Sequence, residues 1–421
     1  MFLSNGGLLN PFQSGFRSGH STTTALLKVT EDIRCAMEDR RVTVLVLVDF
    51  SNAFNAVDHD LLLAVLRSHK ISDPAVSWFS SYLRGRQQAI HCGPSDISDW
   101  ADLSAGVPQG GILSPLLFST FINLVTSNLL CSYHLYADDL QIYNQVKLDD
   151  LDAGIAGINS DLEEILRWSR SFGISVNPSK CQAIIVGGSR LLSGLDYAAV
   201  PPVKFDGRVV PFSATVNDLG LIIDQNLSWD QQLDKVSRKV YASLHSLLRL
   251  KKFLPQHTKL ALVNSLLLPI LDYADVCYLD LTEALLNKLE RLLNTCIRFV
   301  FGLRKYDHVS QYRAQLKWLP IRDRRNLRIL CLLFSILHEP NTPPYLKSMF
   351  QFLSDTHTRD LRSSHNSILA LPSFHSGFMS DSFAVTAVRL WNDLPDSIRK
   401  APSRNVFKRL TRTHYLSKIV S

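Results

Sequence analysis

Apolar residues along this chain change period several times, and each change predicts an element. "VTVLVLVDF" (42–50) is an almost continuous apolar run rich in β-branched residues, the pattern of a strand covered on both faces. Before it, a Gly/Ser-rich loop gives way to apolar positions at helical spacing, Ala25, Leu26, Val29, Ile33 and Met37, with Ser21 and the threonines behind it as candidate N-caps. Residues 57–84 predict two helices, the first carrying Leu61, Leu62, Val65 and Leu66, the second following Pro74. A β-hairpin is expected over 86–103 around "HCGPSD", then a Gly/Pro loop opening a helix over 106–125. Tyr133, Leu135 and Tyr136 read as one strand and Leu140, Ile142 and Tyr143 as the next. An amphipathic helix is expected over 151–174, a turn into a strand over 176–187, and a strand, a turn and an apolar anchor over 217–229. Beyond 228 the pattern is helical, with Leu233, Val236, Val240, Leu244 and Leu247 on one face. Residues 340–380 hold several Pro and Ser and suggest a linker or loose packing, after which Trp391 marks renewed order. The mixture predicts an α+β chain.

Composition narrows the class. The 421 residues are 46% hydrophobic and 20% charged, enough apolar content for one large or two to three ordinary domains and too little charge for wholesale disorder. The seven cysteines are scattered, with no CxxC pair, which fits reduced intracellular thiols and gives no zinc pattern. The N-terminus has no basic segment followed by a long apolar core, so no signal peptide is expected. The most apolar stretches, 260–271 and 327–337, are shorter than a membrane span. Charge is divided unevenly: residues 1–227 hold 16 Lys and Arg against 23 Asp and Glu, and residues 228–421 hold 29 against 15. A back half with a net charge of +14 suggests contact with a polyanion.

One stretch stands apart from this patterning. In "YADDLQIY" two carboxylates, Asp138 and Asp139, interrupt two strand-like runs. Adjacent Asp residues usually mark a solvated turn, but apolar flanks on both sides predict a tight hairpin with the pair at its tip. Two like charges so placed need neutralising, and a divalent cation suits them, since Mg²⁺ is held by one or two carboxylates plus substrate phosphates. Asp49, at the end of the buried run 42–50, is the candidate third carboxylate, because an ionised group there is costly unless paired or metal-bound.

The ordered series "QSGFRSGHSTTTAL", "VDFSNAFNAVDHDLL", "GVPQGGILSPLLFSTFIN", "YADD", "GISVNPSKC" and "LGLIIDQNLSW" resembles the reverse transcriptase of non-LTR (LINE-type, Jockey-like) retrotransposons. The tail, through "LERLLNTCIRFVFGL", "LKWLPIRDRR" and "RLWNDLPDSIR", resembles these elements too. The resemblance implies a right-hand polymerase: a palm with an antiparallel sheet and partial fingers over 1–227, an all-α basic thumb over 228–340, and a C-terminal extension, partly loose, over 341–421. It implies an RNA-directed DNA polymerase that adds dNTPs to a primer 3′-OH with two Mg²⁺ ions, for which Mn²⁺ can substitute. The partners implied are an RNA template and a DNA primer, inside the cell, in nucleus or cytoplasm, with no membrane.

Residue by residue, the resemblance implies that Asp49, Asp138 and Asp139 hold the metals, with the backbone carbonyl of Phe50 as a further ligand. Phe54 would sit beneath the incoming sugar and exclude a 2′-OH. Gln109 and Gly110 would pack against the nucleotide and template, and Tyr136 and Ala137 would lie under the primer terminus. Lys180 would assist pyrophosphate departure. Each of Phe54, Gln109 and Lys180 has a plainer alternative: core residue, loop cap and solvated turn lysine. Lys235, Arg238, Lys239, Arg249, Lys251 and Lys252 lie outside the apolar stripe that follows 228 and are the expected phosphate contacts.

Two departures qualify the expectation. The chain starts almost at "QSGFRSG", so a preceding fingers segment and an upstream endonuclease are expected to be missing, as in a truncated element, and Arg17 alone is not expected to grip a triphosphate. Asn55 stands where the family more often has Asp, which keeps the shape and loses the charge. The alternative reading is an inactive remnant that still binds nucleic acid through its basic helices.

Overall fold

A computed structural model describes residues 7–93, 96–356 and 367–420. Pro94 and Ser95, at the tip of the expected 86–103 hairpin, and residues 357–366, within the stretch expected to be loose, lie outside the described residues. The longer elements, in chain order, are α1 (Thr22–Glu38), β1 (Val42–Val48), α2 (His59–Ser68), α3 (Asp73–Leu83), β2 (Gln87–Gln88), β3 (Ala101–Asp102), α4 (Ser114–Ile122), β4 (Ser132–Tyr136), β5 (Asp139–Val146), α5 (Leu151–Phe172), β6 (Gln182–Val186), β7 (Val203–Phe205), β8 (Arg208–Val210), β9 (Thr215–Asp218), β10 (Leu221–Asp224), α6 (Asp230–Leu248), α7 (Glu283–Phe301), α8 (Ile321–His338), α9 (Phe383–Asn392) and α10 (Arg404–Val420). Helices and antiparallel strands are thus mixed. The pair β7–β8 has no counterpart among the elements expected from the sequence, and the strand expected within 217–229 is β10, which pairs antiparallel with β9.

The chain divides into two compact units. One comprises the segment before Thr22 together with Val42–Ile185 and Leu191–Ser213; the other comprises Thr22–Arg41, Val186–Arg190 and Ala214 onward. Helix α1 therefore clusters with the C-terminal helices although it precedes β1 in sequence.

The first unit is built on a four-stranded sheet in the order β4-β5-β1-β6. β1 is central, and Val42, Val44, Val46 and Val48 are buried in a core that also takes Leu135, Leu140 and Ile142 from the β4–β5 hairpin. Helix α5 adds Ile155, Ile158, Leu162 and Ile165 to that core. Each such side chain contributes roughly 1.5–3 kcal/mol by leaving water. The sheet ends after β1 and between β4 and β5 carry Asp49 and Asp138.

In the second unit α6, α7 and α8 bury amphipathic faces, and α10 anchors through Phe407, which stacks on Phe334 at a ring distance of 4.5 Å. The apolar stretch 260–271 belongs to a longer helical run, Gln256–Cys277, which by length and composition could cross a membrane; 44% of that run's most apolar window is buried within the protein. A core helix passes the same test, and this run is interrupted: its helical part ends at Asp272, followed by extended Tyr273 and left-handed Ala274.

Candidate functional site

The β4–β5 register pairs Tyr136 with Asp139 and leaves Ala137 and Asp138 as a two-residue turn. The β1–β5 register pairs Val48 with Leu140, so one further step sets Asp49 beside Asp139. The three acidic residues, remote in sequence, therefore meet at one end of the sheet. Their electrostatics report that proximity. Asp139 is pushed up to about 6, by burial first and then by the charges of Asp138 and Asp49. Asp138 is raised by burial and by Asp49, against a backbone hydrogen bond that lowers it. Asp139 is nevertheless an exposed residue by surface area, so solvent screens part of its shift.

Asp49 Oδ2 is buried and accepts no hydrogen bond. The nearest cation is Lys180, whose Nζ stands 3.8 Å away on a largely exposed side chain. Three crowded carboxylates, one with an unsatisfied buried oxygen and only a distant lysine to offset them, form a cluster that a divalent cation would relieve. Among the described residues no three acidic, His or Cys side chains, Asp49, Asp138 and Asp139 included, stand as a group that could hold a metal ion by itself. Mg²⁺ does not need one, since it uses few protein ligands and completes its shell with water and phosphate. The Phe50 carbonyl follows Asp49 in the chain. The bridge between Phe50 and Val176 is made by Ser51 N–H donating to Ser175 O at 2.8 Å and Asn177 N–H donating to Asp49 O at 2.9 Å, which leaves the Phe50 carbonyl outside the pairing. These residues fit a divalent metal.

The turn that carries Asp138 is held in a strained form. Ala137 has φ 56°, a left-handed conformation that costs an L residue roughly 1–2 kcal/mol. The segment before α1 supplies support: Ser14 N–H donates to Leu135 O at 2.8 Å and Leu135 N–H to Phe12 O at 3.0 Å, so this segment runs along the free edge of β4. The other end of β4 is anchored by Asp161 of α5, whose buried carboxylate accepts from the backbone N–H groups of Leu130 and Cys131.

On the neighbouring surface, the half-buried Phe54 stacks on Phe118 with ring centroids 3.8 Å apart and meets Phe16 edge-on at 5.9 Å. Gln109 is exposed, and its Nε2 donates to Asn55 Oδ1 at 3.0 Å. Gly110, at φ 82°, is exposed beside it. Asn55 and Gln109 line a cavity of about 610 Å³. Tyr136 is half-buried and Ala137 buried.

The profile of the family described as "Reverse transcriptase (RNA-dependent DNA polymerase)" matches residues 3–223. The chain belongs to the reverse transcriptase family. Its relatives include a probable RNA-directed DNA polymerase from transposon X-element of Drosophila melanogaster, 26% identical over 312 residues, which cover 70% of this chain and 33% of the relative. The RNA-directed DNA polymerase from mobile element jockey of the same species is 24% identical over 326 residues, 74% of this chain and 34% of the relative. This reverse transcriptase chain thus spans about a third of the length of these relatives. Among solved structures, a telomerase from Candida albicans bound to a telomeric RNA fragment aligns at TM-score 0.35 and 11% identity, covering 76% of this chain and 55% of that one; nothing is drawn from so distant a match.

The basic residues expected to contact phosphate divide into two kinds in this chain. Arg238, Lys239, Arg249 and Lys252 are exposed, and Lys251 is half-buried. Lys235 is engaged internally: its Nζ donates to Asn217 Oδ1 at 2.7 Å and to Gly220 O at 2.8 Å, bracing the β9–β10 turn. The arginines of "IRDRR" are engaged as well. Arg324 pairs with Asp272, Arg322 with Glu283, and the buried Arg325 donates to the carbonyls of Asp275 and Tyr278. The residues that sequence reasoning passed over are Gln13, Gly15 and Asp161. Gln13 and Gly15 lie inside a quoted motif, and only the structure reveals what they touch.

Proposed function

We propose that this chain is the polymerising part of an RNA-directed DNA polymerase of a non-LTR retrotransposon, acting on an RNA template, a DNA primer and dNTPs. The observation that carries the proposal is the meeting of Asp49, Asp138 and Asp139 at one end of the sheet, where among the described residues only the largely exposed Lys180, 3.8 Å from Asp49, forms an ion pair with them. Polymerases of this family use divalent metal ions. Bound here, Mg²⁺ would supply charge stabilisation for the attacking and leaving oxygens of an in-line displacement at the α-phosphate. Asp49, Asp138, Asp139 and the Phe50 carbonyl would hold it.

The chain's own residues do the rest. Phe54, fixed by its stack on Phe118, presents a rigid ring at the floor of the nucleotide position, where a 2′-OH would clash. Gln109 and Gly110 offer a polar and a side-chain-free surface to the nucleotide and template. Tyr136 and Ala137 lie under the primer terminus, and Lys180 stands where a departing pyrophosphate needs a proton or a counter-charge. In this reading the four-stranded sheet with α4 and α5 is the palm, the segments around α2, α3 and the β2–β3 pair belong to the fingers, and α6 and its neighbours form the thumb. Arg238, Lys239, Arg249, Lys251 and Lys252 would follow the primer–template backbone.

A second reading, a chain that binds nucleic acid without extending a primer, is favoured by the same exposed cations. One experiment separates the two: primer extension on an RNA template with dNTPs and Mg²⁺ or Mn²⁺, with Asp138→Asn alongside. Extension that the variant loses supports the polymerase. Salt-sensitive binding with no extension by either protein supports the second reading.

A further inference from the structure

Gln13 is fully buried, a polar residue bridged to Leu135 along the edge of β4. Its side-chain oxygen accepts two backbone hydrogen bonds, from Gly15 N–H at 2.8 Å and from Ala137 N–H at 3.2 Å. Its amide nitrogen lies 3.4 Å from the Ala137 carbonyl oxygen and donates to it weakly. Gln13 thus grips both polar groups of the one residue in the hairpin that holds a positive φ. Gly15 closes the other side. A Cβ built there would stand 2.4 Å from Ala137 N and 2.8 Å from Ala137 Cα, so only glycine lets the two backbones approach this closely. Ser14, between them, donates its N–H to Leu135 O, and its Oγ lies 2.9 Å from His134 Nε2, which locks the segment to β4 just before the turn.

We propose that Gln13, seated by Gly15, is a positioning residue: it clamps the Ala137–Asp138 turn from behind and so fixes where the Asp138 carboxylate stands relative to Asp49. The clamp touches neither substrate nor metal. Ala137 N–H would otherwise be a buried donor without a partner, and the left-handed turn would relax toward conformations that an alanine prefers. Any such relaxation moves Asp138, the next residue, while Asp49 stays on the rigid end of β1. The inference rests on the polymerase reading only for its consequence at the metal; the clamp itself is independent of it.

Two measurements on the full chain test this, and neither is turnover. The variants are Gln13→Met, which keeps length and volume but removes the acceptor, and Gly15→Ala, which pushes on the same turn from the other side. The first readout is amide hydrogen exchange by mass spectrometry on a peptide spanning 133–140. It should exchange roughly two- to tenfold faster in Gln13→Met, the consequence of one lost hydrogen bond, while peptides from β1 and α5 are unchanged. The second is Mn²⁺ binding followed by the free-ion electron paramagnetic resonance signal. Affinity should fall about tenfold in both variants, as when an outer partner of a metal ligand is removed. Exchange that is unchanged at 133–140, or accelerated equally across the whole sheet, overturns the clamp. Faster exchange with unaltered Mn²⁺ affinity overturns the claim that the clamp positions Asp138. If the unsubstituted protein binds no Mn²⁺, the polymerase reading fails, and the exchange result still decides whether the clamp exists.

Discussion

The two units differ in how closely their charges are matched. In the first, three carboxylates crowd one end of the sheet, and the nearest cation is a largely exposed lysine 3.8 Å from the nearest of them. In the second, almost every buried charge has a designated partner. Arg34 of α1, 1% exposed, forms a two-pronged pair with Asp280, whose Oδ1 also accepts from Trp229 Nε1 at 2.6 Å. Glu31 accepts from the backbone N–H groups of Phe383 and Ala384 at the start of α9. Arg328 Nε donates to Asp275 at 2.8 Å. Charge matched internally builds architecture; carboxylates crowded together with one cation at 3.8 Å are what the proposed metal would relieve. The contrast tells the two apart where composition cannot, since both units hold many acidic and basic residues.

The contrast is broken most severely by substituting the unmatched group. Asp138→Asn or Asp49→Asn should lower primer extension by roughly a thousandfold, since lost metal stabilisation is worth several kcal/mol and each 1.36 kcal/mol is tenfold. The same substitutions should leave the thermal midpoint unchanged or raised, because each removes a repulsion. Differential scanning fluorimetry beside the extension assay checks both halves. In the second unit the sign reverses. Arg34→Met strands Asp280 and Glu31 in a buried setting and should cost about 3–5 kcal/mol in urea unfolding, the usual effect of breaking one side of a buried pair.

A smaller effect sharpens the comparison. Mg²⁺ at ten times its Kd should stabilise the first unit by ~1.4 kcal/mol and lift its melting midpoint, with no lift in Asp49→Asn. Without metal, pH acts on the same unit through groups of opposite sign, His20 on one side and Asp138 and Asp139 on the other. His20, beside Ser14, is lowered from 6.5 to about 4 by burial and by Arg17. Its contribution is therefore present above pH 6.5 and lost as pH falls toward 4. Asp139, raised to about 6, works the other way: its penalty is complete above pH 6 and fades as pH falls toward 3.8. In His20→Gln the first slope disappears, so the urea midpoint of the metal-free protein should rise as pH is lowered from 6 to 4, whereas in the unsubstituted protein the two slopes oppose.

Much of the first unit is legible in the sequence because its signals are local. The run 42–50 becomes β1 with Asp49 just past its end, and the break in "YADDLQIY" becomes a turn at Ala137 and Asp138. A strand periodicity of two and a tight turn leave little freedom, so residue type alone places these groups. Contacts between residues far apart in sequence are not legible in this way. Nothing in "TEDIRCAME" announces that Glu31 caps a helix starting at Phe383, or that Arg34 meets Asp280. For the same reason the "IRDRR" arginines look like free positive charge in the sequence, while in the structure Arg322 pairs with Glu283, Arg324 with Asp272, and Arg325 donates to the backbone carbonyls of Asp275 and Tyr278. Charge counting sees surplus and not pairing. The roles of Gln13 and Gly15 are hidden too, since a glutamine next to a small residue is ordinary in any loop and its partner lies 124 positions away.

The finest test concerns Asn55, where the family more often carries Asp. Asn55 Oδ1 accepts from Gln109 Nε2 at 3.0 Å across the mouth of the 610 Å³ cavity, so the side chain serves here as an acceptor. Asp supplies the same acceptor in the same place, so Asn55→Asp keeps the link and adds one exposed charge that solvent screens. Its extension rate should stay within about threefold of the unsubstituted protein, a change of well under 1 kcal/mol. Asn55→Ala removes the acceptor and frees Gln109, and should raise the KM for dNTP by roughly five- to tenfold, the worth of one hydrogen bond, with the rate at saturation little changed. A large defect in Asn55→Asp with none in Asn55→Ala would show that charge, not the link to Gln109, governs this edge of the site. The residue would then belong with the unmatched carboxylates and not with the scaffold around them.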